Sequence, residues 1–191
     1  MSNPSSIINL PKKSPNNIGY VHAVPNKRGG VTFSTFISEP MFETESYLNL
    51  IFALNTATKN DDFIIKLASP GGSIETGILL CNAIFNCKAK VTTQAVGITA
   101  SIAAVIWCCG KVKSLLPTST LMFHMPSGFG GGKTADIAEQ AEFFQKYFKE
   151  LLRSITKNIL NEDEFNDMTA GRRDVFLSYE TLKNRLTRKD I

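Results

Sequence analysis

Two consecutive strand–turn–helix units in the first half of the chain constrain its fold most strongly. The first is an apolar strand at Phe63 to Ala68, the turn Ser69-Pro70-Gly71-Gly72 and a helix from about Ser73 to Phe85. The second is a strand at Lys90 to Val96, followed by a short buried helix that Ser101 opens. Strands that alternate with helices in this way form a mostly parallel sheet covered by helices. The sequence therefore predicts an α/β fold with functional groups at the carboxyl ends of its strands.

The flanking segments add further strands and helices to this pattern. Ser38-Glu39-Pro40 is typical of a helix start, with proline in the first turn. The predicted helix runs to about Thr58, and its buried side would carry Met41, Leu48, Ile51, Phe52 and Leu54. The other predicted elements are strands at Gly19 to Ala23, Val31 to Ile37, Val112 to Leu116 and Leu121 to Met125, and helices at about Glu162 to Thr169 and Ser178 to Leu186.

A long amphipathic helix is predicted from Lys133 to about Leu160. Its apolar positions recur every three or four residues, at Ile137, Ala141, Phe144, Phe148, Leu151, Ile155 and Ile159. We call Phe144, Phe148, Leu151 and Ile155 the helix seam. At ~1.5 Å per residue the helix would be roughly 40 Å long, about the width of a domain of this size. We therefore expect the seam to be partly exposed in one chain and buried against a second copy.

Length and charge indicate one domain preceded by a basic arm. A chain of 191 residues with 43% hydrophobic residues is long enough for one well-buried core and short for two. Lys12, Lys13, Lys27 and Arg28 account for the whole net charge of +4, because residues 1–30 contain no acid. We interpret residues 1–30 as a flexible, solvated arm and residues 31–191 as the folded domain. The sequence lacks the basic face with interleaved aromatic residues that is typical of nucleic-acid binding.

The sequence also bears on compartment and cofactors. Residues 1–17 are broken by prolines and lysines, unlike a signal peptide, and the apolar run Ala95 to Cys109 is too short to cross a bilayer. The four cysteines lack metal-ligand spacing. Gly132-Lys133-Thr134 is not a phosphate-binding loop, because Ser127 stands where that motif requires glycine. We expect a cytoplasmic protein without a membrane anchor, metal or nucleotide.

Few residues in the chain are candidates for catalysis. Ser101 is a hydroxyl in a small, apolar run, where it either bonds to a backbone carbonyl or reacts. A nucleophilic serine needs a general base, and of the two histidines His22 lies in the arm while His124 ends a strand. The turn at Gly71-Gly72 could aim an N–H group at an oxyanion. Asp174 could orient an imidazole or be a surface charge in a salt-bridged loop, and His124 could be structural.

Four motifs follow one another in a specific order and spacing. They are Ser69-Pro70-Gly71-Gly72, Gly97 to Ser101, Met122 to Gly128 and Arg173 to Ser178. In this order they resemble the Clp protease proteolytic subunit family, a serine endopeptidase family. The resemblance covers roughly Phe63 to Leu186.

The resemblance implies a serine-protease site. Ser101 would be the nucleophile, His124 the general base and Asp174 the acid that orients the base. The N–H groups of Gly72 and Ile102 would form the oxyanion hole. The residues implied in binding an extended substrate are Gly71, Ser127, Gly128, Phe129 and Gly130, the last three within a strand from Gly128 to Gly132.

The resemblance also implies an architecture and partners. The fold would be a crotonase-like α/β spiral of βαβ units, with the helix from Lys133 as a protruding handle. Copies of the chain would assemble as two stacked seven-membered rings, and unfolding ATPase rings of the Clp type would deliver polypeptide substrates. Hydrolysis in this family needs no metal or other cofactor.

The sequence departs from the family pattern in four places, one of which is Asn184-Arg185-Leu186-Thr187-Arg188 where the family has Tyr-Gly-Leu-Ile-Asp. Ile102 replaces a usual methionine, residues 97–100 are Gly-Ile-Thr-Ala where Gly-Gln-Ala-Ala is usual, and the first 60 residues match poorly. Two other functions therefore stay open. The chain could be a catalytically silent ring subunit that modulates an active partner, or a crotonase-fold acyl-CoA enzyme.

Overall fold

The computed structural model describes residues 21–126 and 134–186. In chain order its strands are β1 (Val21–Pro25), β2 (Val31–Ile37), β3 (Asp62–Leu67), β4 (Lys90–Ala95), β5 (Ile98–Ala100), β6 (Val112–Leu115), β7 (Thr120–Phe123) and β8 (Val175–Ser178). Its helices are a 3₁₀ helix at Thr44–Tyr47 and α1 (Leu48–Thr56), α2 (Ile74–Asn86), α3 (Ile102–Cys109), α4 (Thr134–Thr156), α5 (Glu162–Thr169) and α6 (Tyr179–Arg185).

Two sheets organise these elements. The larger sheet has five strands in the order β1-β2-β3-β4-β6, and all of its pairs are parallel except β1 with β2. The smaller sheet has the order β5-β7-β8, with β5 parallel and β8 antiparallel to β7. The α/β fold class and the mostly parallel main sheet are therefore confirmed. The three-residue strand β5 was not predicted, because it lies within the segment interpreted as a turn.

Helix α3 lies at the centre of the hydrophobic core. Every residue of α3 is buried, which agrees with the prediction that this apolar run is a core element. Trp107 is fully buried, and its indole N–H donates to the carbonyl of Ser114 at 3.0 Å. The Thr93 hydroxyl donates to the Trp107 carbonyl at 2.6 Å. These bonds satisfy polar groups that burial would otherwise leave unpaired, and they join α3 to strands β4 and β6.

The predicted helix from Ser38 to Thr58 is wrong in its first half. Met41 instead forms a parallel bridge with Gly72, donating to the Gly71 carbonyl at 2.8 Å and accepting from Ser73 at 2.6 Å. This extended pairing excludes helical backbone at Met41, so the helical part begins later. Phe52, expected on the buried side, is 63% exposed, because the core face of α1 carries Leu50 and Leu54. Leu48 is exposed as well.

Part of the predicted arm belongs to the main sheet. The short strand expected at Gly19 to Ala23 forms as β1 and pairs with β2 from Val21↔Thr35 to Pro25↔Val31. The turn between them is held by Asp61, whose carboxylate accepts from the Val31 amide at 2.7 Å. Residues 21–25 therefore lie in the main sheet, and residues 26–30 form the turn to β2. The first 20 residues lie outside the described part of the chain.

Helix α4 ends at Thr156, four residues before the predicted end. Phe148 of the helix seam is buried by its own chain and only 4% exposed, which corrects the expectation that a second copy is needed to cover it. The aromatic residues that α4 leaves exposed are Phe143 and Tyr147, whose rings stack with centroids 6.3 Å apart. Among the described residues, no helix is long and apolar enough to cross a membrane.

Candidate active site

Ser101 lies at the junction between β5 and α3 in an unusual backbone conformation. Its φ of 57° is the one positive φ outside glycine in the described residues. The backbone is held there because the Ser101 amide donates to the Met122 carbonyl at 2.8 Å, while the Ser101 carbonyl accepts from Ala104 at 3.0 Å. A non-glycine residue in this region costs about 1–3 kcal/mol, and such strain concentrates at functional sites.

His124 is brought to Ser101 by the pairing of β5 with β7. Ala100 is paired with Met122 in this parallel register, so the residues that follow the two strands are neighbours. The His124 Nε2 lies 2.8 Å from the Ser101 Oγ, and both side chains are half-buried. In the tautomer with the proton on Nδ1, Nε2 can accept the proton of the Ser101 hydroxyl. The structure therefore brings together the predicted nucleophile and the predicted base.

No hydrogen bond or ion pair joins Asp174 to His124, unlike the arrangement that the resemblance implied. The last pair of the β7–β8 ladder is Phe123↔Val175, and the next step of the same register would place His124 opposite Asp174. The ladder stops before that step. Asp174 is exposed and has no hydrogen bond or ion pair within the described residues.

The arginines before Asp174 are held by a different acid. The Nε of Arg172 and the Nε of Arg173 donate to the Asp167 carboxylate at 2.7 and 2.9 Å. These two hydrogen bonds keep the pKa of Asp167 below its ordinary value of 3.8. The salt-bridged loop considered as the alternative does exist, but its acid is Asp167 at the end of α5.

The Gly71-Gly72 turn lies directly beside the serine. Gly71 has a φ of 100°, and a Cβ atom there would lie 2.6 Å from the Ser101 Cβ. A Cβ atom on Gly72 would be 2.5 Å from the Met41 carbonyl oxygen. The Ser69 hydroxyl fixes the turn, accepting from the Gly71 amide at 3.1 Å and donating to the Glu39 carbonyl at 2.8 Å. Only glycine permits this close approach of backbone to the serine.

Two backbone N–H groups beside Ser101 have no hydrogen-bond acceptor among the described residues. They belong to Gly72 and to Ile102, and both residues line one cavity with Ser101 and His124. The Ile102 N–H is the first of α3, where helical geometry offers no intrahelical acceptor and the helix dipole favours negative charge. Such donors suit an oxyanion that develops next to the serine.

The cavity beside the serine has a volume of about 110 Å³ and is mostly apolar. Its other lining residues are Ile74, Val105, Pro126, Phe148, Leu151 and Leu152. Sequence reasoning named none of these six as site residues, because a hydrophobic residue that lines a cavity has the same local pattern as one in a core. The apolar stripe of α4 was the one available signal.

The remaining predicted site residues belong to the substrate-binding segment. Ser127, Gly128, Phe129 and Gly130 lie outside the described residues. The four cysteines are buried and free, and burial raises the pKa of the Cys108 thiol, which makes it a poor nucleophile. Within residues 21–126 and 134–186, no group of three or more His, Cys, Asp or Glu side chains is arranged to hold a metal ion.

Comparison with known proteins adds evidence to this geometry. The family model described as Clp protease matches residues 31–184. The chain is 29% identical over 133 residues to the ATP-dependent Clp protease proteolytic subunit 3, chloroplastic, of Arabidopsis thaliana, which covers 69% of this chain and 43% of that protein. It is 31% identical over 125 residues to the ATP-dependent Clp protease proteolytic subunit of Carsonella ruddii, which covers 64% of each chain.

A third relative is the ATP-dependent Clp protease proteolytic subunit 1 of Streptomyces avermitilis, 29% identical over 135 residues, or 70% of this chain and 62% of that one. The chain spans about half the length of the curated relatives it matches, from 43% to 66%. The family model nevertheless covers β2 through most of α6, including Ser101, His124 and Asp174. The chain therefore belongs to the Clp protease family.

Proposed function

We propose that this chain is a serine endopeptidase that cleaves unfolded polypeptides and short peptides, as the proteolytic subunit of an ATP-dependent Clp-type protease. The observation that carries the proposal is the 2.8 Å contact between Ser101 Oγ and His124 Nε2, with two unpaired N–H groups in the same cavity. A nucleophile, a base and oxyanion donors in one place are what acyl transfer requires.

The reaction would begin with attack of the Ser101 Oγ on the scissile carbonyl carbon while His124 accepts the hydroxyl proton. The N–H groups of Gly72 and Ile102 would stabilise the negative charge on the carbonyl oxygen of the tetrahedral intermediate. His124 would then protonate the leaving amine, which leaves an acyl group on Ser101. Water, activated by the same imidazole, would release the acid and restore the serine.

We assign Asp174 the role of orienting His124 in the active conformation. An extension of the β7–β8 ladder by one pair would place Asp174 opposite His124, where its carboxylate could accept from Nδ1. This bond would select the tautomer that the mechanism needs and stabilise the imidazolium that forms during the reaction.

Substrate would bind as an extended chain next to the Gly71 turn, with residues Ser127, Gly128, Phe129 and Gly130 on its other side. The apolar cavity of about 110 Å³ would accommodate the side chain adjacent to the scissile bond. A volume of this size suits an aliphatic side chain rather than a charged one, because Val105, Leu151 and Leu152 offer no partner for a buried charge.

The finer architecture belongs to the same proposal. We assign the chain a crotonase-like spiral with α4 as a handle helix, two stacked seven-membered rings of identical chains, and a Clp-type unfolding ATPase as partner. The exposed aromatic pair on α4, Phe143 and Tyr147, supports burial against another copy. We also propose that hydrolysis needs no metal or other cofactor and that the protein is cytoplasmic.

A catalytically silent ring subunit is the second candidate. The observation that favours it is the missing contact between Asp174 and His124, since a serine–histidine pair without its acid is a poor catalyst. An acyl-CoA enzyme is not favoured, because such an enzyme has no use for the Ser101–His124 pair.

The deciding experiment is labelling of the purified protein with a fluorophosphonate, combined with hydrolysis of a set of fluorogenic peptides. The proposal expects covalent label on Ser101, mapped by mass spectrometry, and hydrolysis after apolar residues. The Ser101→Ala variant should show neither. An unlabelled wild-type protein that hydrolyses no peptide would establish the silent subunit instead.

A further inference from the structure

The helical backbone of α2 does not require glycine at position 77. It lies inside α2, is buried, and is not among the glycines with positive φ, so no special backbone conformation requires it. Within a helix, glycine costs about 0.5–1 kcal/mol relative to alanine. The reason for glycine at this position must therefore be space rather than backbone conformation.

The space beside Gly77 is filled by the side chain of Ile102. A Cβ atom on Gly77 would overlap the Ile102 Cγ1, and it would lie 2.8 Å from Cδ1 and 3.2 Å from Cβ. Ile102 is only 6% exposed, so protein atoms enclose its side chain on nearly all sides. The Ile102 side chain is thus seated directly on the backbone of α2.

This contact joins the two groups that would bind the oxyanion. Gly72 precedes Ser73, the N-cap of α2, and the Gly77 amide donates to the Ser73 carbonyl at 3.1 Å, so Gly72 and Gly77 are linked through the first turn of one helix. Ile102 provides the second N–H at the start of α3. The position of α3 against α2, and hence the spacing between the two N–H groups, depends on how closely Ile102 approaches Gly77.

We infer that Gly77 is a positioning residue for the oxyanion hole, which sets the distance between the Gly72 and Ile102 N–H groups by admitting the Ile102 side chain against α2. The inference rests on the proposed serine-peptidase function. Any larger side chain at position 77 would displace Ile102 and its N–H, and a shift of about 1 Å at a catalytic group can cost 10²-fold in rate.

The test is a double-mutant cycle on the full chain with a short fluorogenic peptide. Gly77→Ala should lower kcat by about 10- to 100-fold and change KM much less, because the N–H groups bind the transition state more strongly than the substrate. Ile102→Ala should also lower kcat, because the side chain that holds the N–H is lost. The double variant Gly77→Ala/Ile102→Ala should be more active than either single variant, because the new methyl group occupies the space that the isoleucine vacated.

Gly110→Ala is the matched control for general overpacking. A Cβ atom on Gly110 would overlap the Thr93 hydroxyl oxygen and lie 2.9 Å from its Cγ2, at the opposite end of α3 from Ser101. This variant should lose a similar amount of thermal stability and keep its kcat. A Gly77→Ala variant with wild-type kcat would overturn the inference. A double variant that is no more active than Ile102→Ala would also overturn the inference. This comparison does not need the Gly77→Ala single variant, so it remains valid if that variant fails to fold.

Failure of the proposed function is distinguishable from failure of this inference. A wild-type protein that neither reacts with a fluorophosphonate nor hydrolyses peptides would overturn both. An active wild-type protein whose kcat falls equally in Gly77→Ala and Gly110→Ala would overturn only the role of Gly77.

Discussion

His124 and Asp174 directly flank Phe123 and Val175, the last pair of the β7–β8 ladder, and no hydrogen bond joins them. The base already contacts Ser101, so the missing bond is the only part of the proposed triad that the fold leaves open. The residue before Asp174 is Arg173, which Asp167 holds at 2.9 Å. Formation of the proposed triad would therefore require a local rearrangement at the start of β8 and not a change of fold.

Replacement of the serine tests the nucleophile. We expect Ser101→Ala to lower peptide hydrolysis by orders of magnitude, on the scale of about 10⁶ known for loss of a serine nucleophile. His124→Ala should have nearly the same effect, because the two groups act as one unit. Both variants should keep the wild-type sedimentation coefficient. Robust hydrolysis by Ser101→Ala would show that Ser101 is not the nucleophile.

Replacement of the acid tests whether the active conformation contains a triad. We expect Asp174→Asn to lower kcat by up to about 10⁴-fold, because an amide would favour the wrong imidazole tautomer. Asp163→Asn, an exposed acid on α5, is the control and should be fully active. Steady-state kinetics that are identical for Asp174→Asn and wild type would contradict a role for Asp174.

The Gly71 turn can be tested by adding one methyl group. Gly71→Ala combines a φ of 100° with a new contact at 2.6 Å from the Ser101 Cβ. We expect roughly 1–2 kcal/mol of conformational cost, a further 1–3 kcal/mol from overpacking, and loss of peptide hydrolysis. Gly29→Ala is the control, since Gly29 also has positive φ but nothing within 4 Å of the added atom. Urea unfolding and kinetics should separate the two, and equal activity would contradict the proposed contact.

An ion pair at the C-terminal end of the fold makes stability depend on pH. Arg185 donates two hydrogen bonds to Glu164, at 2.6 and 2.9 Å, and these bonds hold the pKa of Glu164 below its ordinary value of 4.5. A lowered pKa in the folded state means that this stabilisation is fully present above pH 4.5 and is lost as the pH falls through the folded-state pKa.

We therefore expect Glu164→Gln to lower the free energy of unfolding at pH 7 by about 1–2 kcal/mol and to flatten its dependence on pH below 4.5. Glutamine can still accept from the Asn161 amide, so the helix cap of α5 is kept. Glu162→Gln, which breaks the exposed pair with Arg153, should cost less than about 1 kcal/mol. Denaturant unfolding at several pH values measures both, and equal pH profiles for Glu164→Gln and wild type would contradict this account.

Two aromatic residues of α4 separate assembly from folding. Phe143 is 64% exposed, so Phe143→Glu should leave the stability of the single chain unchanged and weaken the proposed assembly, because a charge would be buried at the contact. Phe148 is 4% exposed, so Phe148→Glu should destabilise the chain itself. Sedimentation velocity and thermal unfolding measure the two effects. A wild-type protein that sediments as a fully active monomer would contradict the need for assembly.

Much of the fold could be predicted from local sequence. The strands β3 and β4 and the helices α2, α5 and α6 formed within one or two residues of their predicted bounds, because alternating or helical apolar spacing and caps such as Ser73 are local signals. Ser101 and His124 were named as candidates because of the order of the motifs around them, since neither a serine in a small apolar run nor a histidine at a strand end is distinctive alone. The order of four motifs was sufficient to indicate the family.

Other features depend on contacts between distant segments, so only the tertiary structure determined them. Met41 left the predicted helix because its backbone pairs with Gly72, and Phe148 left the exposed seam because Val105 and Leu152 enclose the same cavity. Asp174 is separated from His124 because the ladder stops one pair short, and the pairing of strands more than 50 residues apart is not written in the spacing of either strand. Local spacing determines which residues become strands, helices and turns, whereas the register between distant segments determines which of them touch.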